Sequence, residues 1–158
     1  MNSLKRIALV EDNPRDAELV LDVLEDLHLA GDVIHLRDGA EALDYLFRRG
    51  AYGDRPPAQP AVVLLDLKMP RVDGLEVLRQ LKASPELKAI PVVVLTSSRE
   101  DRDLAESYRL GVNAFVVKPV KYEEFAKAIG QVAHFWALLN ESAPGTVPRN
   151  PVTGSASA

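Results

Sequence analysis

The sequence predicts an α/β fold, a doubly wound five-stranded parallel sheet of order 2-1-3-4-5 covered by helices on both faces. Three observations predict it. Five short runs are apolar throughout rather than alternating with polar residues, which is how strands buried on both faces read. Each run is followed by a segment with helical spacing, and βα alternation of this kind builds a parallel sheet with right-handed crossovers. The chain has 158 residues, of which 47% are hydrophobic, enough for one sizeable core.

The first strand is Arg6 to Val10, RIALV. Asn13 then offers an N-cap and Pro14 a first helical residue, and Ala17, Val20, Leu21, Leu24 and Leu27 form one stripe up to Gly31, which ends the helix. Asp32 to Leu36 is the second strand; Arg37-Asp38-Gly39 turns into a helix that directs Ala42, Leu43, Leu46 and Phe47 inward. The segment from Arg48 to Pro60 is rich in Gly and Pro and reads as a loop. Ala61 to Leu65 is the third strand and Gly74 to Ala83 the third helix, followed by strand Pro91 to Leu95 and helix Asp101 to Leu110. Ala114 to Val117 is the last strand, and the last helix runs from Tyr122 to about Leu139 with Phe125, Ile129, Val132 and Trp136 inward. Residues 1–141 are thus expected to form one domain, and residues 142–158, with their Pro, Gly, Ser and Thr, a disordered tail.

Composition removes several classes of function. With no cysteine there is no disulfide framework, thiolate metal site or thiol nucleophile, and the three histidines, His28, His35 and His134, are scattered. A net charge of −4 without a basic tract argues against nucleic acid. No segment approaches the roughly 20 apolar residues of a membrane span, and the N-terminus lacks a signal-peptide core, so the expected location is the cytoplasm.

Charge at the strand ends points to a chemistry. Parallel sheets of this kind bind ligands beyond the C-terminal strand edge, where strand order reverses. The first strand ends in Glu11 and Asp12, the third in Asp66, the fourth in Thr96 and the fifth in Lys118. With the first and third strands adjacent, Glu11, Asp12 and Asp66 converge. Each carboxylate pair about 4 Å apart repels by roughly 4 kcal/mol at an effective dielectric near 20. That crowding calls for a hard divalent cation bound through oxygen, expected to be Mg²⁺, with Lys118 as a fixed positive charge beside it. A metal, a lysine and the Thr96 hydroxyl aimed at one carboxylate make a place for a phosphoryl group on Asp66, as an acyl phosphate.

VEDN, LLDLKMPRVDG, VVVLTSS and FVVKP, in this order and spacing, resemble the receiver domains of two-component response regulators from about Lys5 to Leu139. The resemblance implies a flavodoxin-like sandwich in which Asp66 accepts a phosphoryl group from a phosphohistidine on a sensor histidine kinase. It implies that Glu11, Asp12, Asp66 and the backbone carbonyl of Lys68 face Mg²⁺, that Thr96, Lys118 and Phe115 carry a conformational switch, and that the Lys118–Pro119 bond is cis. Two positions depart from the usual pattern. Phe115 lacks the hydroxyl of the frequent Tyr, and Lys68 replaces a small polar residue, which places a long side chain where it would either shield the phosphoryl group from water or interfere with partner docking. The long loop after the second helix and the HFWALL end further resemble stand-alone regulators paired with bacterial phytochromes. That likeness implies a homodimer through Tyr122, Phe135, Trp136 and Leu139 and a phytochrome-type kinase as partner.

Two other readings meet obstacles in the residues. A Mg²⁺-dependent aspartyl-phosphate phosphohydrolase also uses a nucleophilic Asp, but usually has an acid two residues later, where this chain has Lys68. A flavin carrier on the same fold needs hydroxyls in its first loop, and EDNPRD offers negative charge. The expected protein is therefore a phosphoacceptor signalling protein, catalysing only its own phosphorylation and dephosphorylation.

Overall fold

In the computed structural model, which describes residues 4–148, the five strands pair in parallel in the order 2-1-3-4-5. They are β1 (Ile7–Val10), β2 (Val33–Leu36), β3 (Val62–Leu65), β4 (Val92–Thr96) and β5 (Ala114–Val117), with helices α1 (Pro14–Asp26), α2 (Gly39–Leu46), α3 (Gly74–Ala83), α4 (Asp101–Leu110) and α5 (Tyr122–Ala133) between and after them. The uniformly apolar strands serve two cores. Along β1, β3 and β4, Ala8, Val10, Val63, Leu65, Val92 and Val94 meet residues of α2 and α3 on one face. Ile7, Leu9, Val62, Leu64, Val93 and Leu95 meet α1 and α5 on the other. Each of these Val, Leu and Ile side chains, taken fully out of water, contributes roughly 1.5–3 kcal/mol, so both faces of the sheet are held firmly.

Side-chain caps fix where α1, α2 and α3 begin. Asn13 accepts from the backbone N–H of Arg15 and Asp16, Asp38 from Glu41 and Asp73 from Glu76. Two of these capped helices enter so close to another loop that only glycine fits. A Cβ on Gly39 would lie 1.9 Å from the Val72 carbonyl oxygen, and one on Gly74 would lie 2.2 Å from that of Asp66. The Gly74 approach, completed by its N–H donating to the Leu67 carbonyl at 2.9 Å, seats α3 directly behind Asp66. Gly74→Ala is therefore expected to lower stability by about 1–3 kcal/mol, read as a fall in urea midpoint; an unchanged midpoint would contradict this packing.

The structure corrects three expectations of the sequence. The first helix ends at Asp26 rather than Gly31, because His28 takes a left-handed conformation (φ 61°) and Ala30–Asp32 form a 3₁₀ turn. After Ala133 the last helix widens into a π-helical segment, His134–Leu139, closed by the Asn140 N–H donating to the Phe135 carbonyl at 2.7 Å. Ala133, four residues after the buried Ile129, and then Ala137 line the core, and Val132 and Trp136, expected to point inward, are partly buried against it. The segment expected to be a disordered tail from Ser142 instead folds back as far as Pro148. Thr146 bridges to Gln59, Val147 is buried, and the guanidinium of the buried Arg6 donates to the carbonyls of both Ala137 and Val147. Arg6 needs acceptors once buried, and the end of the helix and the returning segment supply them. Residues 149–158 of the expected tail lie outside the described residues.

Candidate functional site

The sheet itself sets the acidic residues side by side. Glu11 continues β1, its N–H donating to the Leu36 carbonyl at 3.0 Å, and its own carbonyl meets the His35 ring nitrogen at 2.8 Å. Asp66 continues β3, its N–H donating to the Val10 carbonyl at 3.1 Å. Glu11 and Asp66 are buried and Asp12 is exposed, yet one carboxylate oxygen from each of the three lies within 4.8 Å of the others. Three oxygen donors, two of them shielded from water, form a hard ligand set with one side open to solvent, which fits a divalent cation such as Mg²⁺ or Mn²⁺.

Lys118 closes the cluster. Its N–H donates to the Thr96 carbonyl at 2.7 Å, which continues the β4–β5 pairing, and its side chain then reaches back over the strand ends. The ammonium donates to Glu11 Oε1 at 2.6 Å and to Asp16 Oδ2 at 2.7 Å, and lies 3.6 Å from Asp66 Oδ2. Burial pushes the Glu11 carboxyl up to about 7, against the pull of Lys118 and with help from the negative charge of Asp66. Burial alone would lower the Lys118 ammonium, but its hydrogen bonds to Asp16 and Glu11 outweigh this and hold it above the ordinary lysine range. The site thus keeps its lysine charged and carries more negative charge than one ammonium offsets. The expected cis bond at Lys118–Pro119 is not found: no cis peptide occurs among the described residues. Trans is the lower-energy isomer before proline by about 0.5–1 kcal/mol, and Lys118 reaches the carboxylates from it.

Thr96 is fully buried at the end of β4, and its hydroxyl accepts the Ser98 N–H at 3.2 Å. Ser98 in turn donates its hydroxyl to Asp103 Oδ2 at 2.5 Å, and the Lys68 ammonium lies 3.3 Å from the same oxygen. The Ser98 bond, joined by Lys68 and opposed by burial, holds the Asp103 carboxyl below the usual range. Lys68, expected to shield Asp66, therefore sends its charge to α4, while its backbone N–H faces Asp66 Oδ1 at 3.4 Å. Phe115, opposite Val94 in the β4–β5 register, is partly buried against the α2–α3 core. Of the aromatic and apolar residues expected at an interface, Tyr122, Phe135 and Leu139 are exposed, and Trp136 is partly buried with its ring edge-on to Phe135 at 5.0 Å between centroids.

Three participants were not singled out in advance as site residues: Asp16, Ser98 and Asp103. Asp16 had a legible signal, being the third acid in ALVEDNPRD, at helical spacing from Asp12. Ser98 carries no signal in the sequence beyond its place in VVVLTSS, and its contact with Asp103 depends on how the loop after β4 turns. No described helix is long and apolar enough to cross a membrane.

Comparison with known proteins agrees with this geometry. The family model for the response regulator receiver domain matches residues 7–130. Response regulator Rcp1 of a Synechocystis species is 41% identical over 135 residues, covering 85% of this chain and 90% of Rcp1. Its Mn²⁺-bound crystal structure superposes with a TM-score of 0.80, at 38% identity and covering 88% of this chain and 99% of that one. The phosphorylated cyanobacterial phytochrome response regulator RcpA gives a TM-score of 0.82 at 36% identity, covering 89% and 99% of the two chains. The bacteriophytochrome response regulator AtBRR is 62% identical with a TM-score of 0.69, covering 89% of this chain and all of its own. A structure with bound Mn²⁺ among these relatives supports divalent-metal binding at the acidic cluster.

Proposed function

The chain belongs to the family of response regulator receiver domains, and on that premise we propose that it accepts a phosphoryl group on Asp66 from a phosphohistidine of a sensor histidine kinase. One observation carries the reading: Glu11, Asp12 and Asp66 gather their carboxylates within 4.8 Å of one another, with the Lys118 ammonium beside them. In the transfer an Asp66 oxygen attacks phosphorus in line, the P–N bond breaks, and its electron pair returns to the imidazole of the donor. Mg²⁺ held by Glu11, Asp12, Asp66 and the Lys68 carbonyl would offset charge on the phosphoryl oxygens. Lys118 meets one of those oxygens with its ammonium. Thr96, whose hydroxyl accepts the Ser98 N–H and keeps its own O–H to donate, moves toward another, and that movement opens space for Phe115 to rotate inward.

Moving such a two-state balance from 1:99 to 99:1 takes about 5.5 kcal/mol, within the scale of the charge-assisted bonds that Thr96 and Lys118 gain. The hydrolase alternative is disfavoured because the residue two after Asp66 is Lys68, whose ammonium is turned toward Asp103. We read the protein as a cytoplasmic signalling protein that turns over only its own phosphoryl group. The exposed Tyr122, Phe135 and Leu139, with Trp136 behind them, form the surface of a homodimer. The likeness to RcpA and AtBRR makes a bacterial phytochrome the kinase of choice.

The test is phosphotransfer from autophosphorylated, radiolabelled kinases. Label should move from a phytochrome-type kinase to this chain, and faster than from an unrelated histidine kinase. Equal rates would remove the phytochrome assignment, and no transfer from either would remove the acceptor role.

A further inference from the structure

Asp16 is bonded directly to Lys118, and the phosphoryl chemistry assigns it no role. It stands in the first turn of α1, where the Asn13 cap holds its backbone N–H at 3.2 Å. Its Oδ2 accepts from Lys118 at 2.7 Å, nearly as short as the 2.6 Å bond to Glu11, whereas Lys118 and Asp66 are 3.6 Å apart, beyond hydrogen-bond range. A lysine ammonium has three N–H donors. Two are committed, to the carboxylates of Glu11, just past β1, and Asp16, on α1, and the third is left toward Asp66.

We propose that Asp16 is a positioning residue for phosphoryl transfer, holding the Lys118 ammonium away from Asp66 so that the acceptor oxygen stays free to attack. The inference rests on Asp66 being the acceptor. A lysine with Glu11 as its only anchor can swing about that one bond and close on Asp66. A direct hydrogen bond there, in place of the present 3.6 Å ion pair, would occupy a lone pair of the nucleophile and fill the space that phosphoryl oxygens must enter. With a second anchor on α1, the ammonium is held at ion-pair distance from Asp66 but outside hydrogen-bond range, and its third N–H is left for the oxygens that arrive there. Asp16 Oδ2 is well suited to this, since its own helix is pinned by Asn13 and its side chain is only 30% exposed.

An acid in the first turn also stabilises a helix, so the test must separate positioning from stability. Initial rates of phosphorylation by a small acyl-phosphate donor with Mg²⁺ are measured by intact mass for wild type, Asp16→Asn, Lys118→Met and the double variant, each checked for folding by thermal denaturation. Asp16→Asn should slow the reaction about tenfold in the wild-type background, the scale of a misplaced catalytic group, and change it by less than about twofold in the Lys118→Met background. The Mg²⁺ concentration giving half-maximal rate should stay the same. Asp16→Glu, which keeps the charge on a longer arm, should recover part of the rate and serves as the second variant if Asp16→Asn does not fold. Equal slowing in both backgrounds, an unchanged or faster Asp16→Asn rate, or a slowing matched by loss of Mg²⁺ response would overturn the inference while leaving Asp66 as acceptor. A folded wild type that gains no phosphoryl group would overturn both.

Discussion

Asp66→Asn should gain no phosphoryl group from Mg²⁺ and a small acyl-phosphate donor under conditions where the wild type gains one. The amide that replaces the carboxylate has the same shape but no anionic oxygen to attack phosphorus, so the acyl phosphate cannot form. The loss should be complete rather than partial, because Glu11 is buried and bonded to Lys118, and Asp12 is exposed without that lysine contact. The fold should not suffer. Asp66 is held by its backbone N–H to Val10, and its side chain repels its acidic neighbours at roughly 4 kcal/mol per pair before screening. A thermal midpoint equal to or above the wild-type value is therefore expected without metal. Residual phosphorylation of the variant, read by intact mass, would mean that another group accepts the phosphoryl.

Lys118→Met should slow phosphorylation by about 100-fold or more, the usual effect of removing one charged donor from a site where negative charge develops. Here stability should change as well. The ammonium is bonded to Glu11 and Asp16 and faces Asp66, and removing one partner of a buried charge cluster costs about 3–5 kcal/mol. The cost depends on pH in a definite direction. Glu11 already binds its proton more tightly folded, at about 7, than at its ordinary 4.5, so the folded state holds more protons across that interval. The stability this lends is present below about 4.5 and is lost as pH rises through about 7. Without Lys118 the carboxyl is raised further, and the variant should fall further below wild type at pH 8 than at pH 6. A penalty independent of pH, measured by urea unfolding at both, would show that Lys118 and Glu11 are not coupled.

Much of this site could be read directly from the order of residues, for a physical reason. Glu11, Asp66, Thr96 and Lys118 each stand at the end of an apolar run, and a parallel sheet places such ends along one edge, so strand order alone brings them together. Contacts that depend on loop paths and side-chain choice were not legible in this way. Lys68 pairs with Asp103 because the turn after β4 presents Ser98 and the first turn of α4 on that side, and no periodicity encodes that turn. The last helix runs to Leu139 as expected, but its inward stripe is only half as read: after Phe125 and Ile129 the fully buried line continues through Ala133 and Ala137, and Val132 and Trp136 pack partly buried beside it, because two small residues let the helix sit close to the core. Ser142 to Pro148 have the composition of a tail, yet the buried Arg6 and the edge at Gln59 give that segment specific partners. Asp16 lies between these cases. Its charge was conspicuous in the sequence, but its partner, 102 residues away, became visible only with the fold.

The most direct measurement is chemical mapping of the modified residue in the wild-type chain. After phosphorylation with Mg²⁺ and a small acyl-phosphate donor, borohydride reduction converts an aspartyl phosphate to homoserine, which peptide mass spectrometry locates. The account predicts homoserine at position 66 alone, and none when Mg²⁺ is withheld by chelation. Homoserine elsewhere, or a phosphoryl group on a residue that borohydride does not reduce, would contradict it.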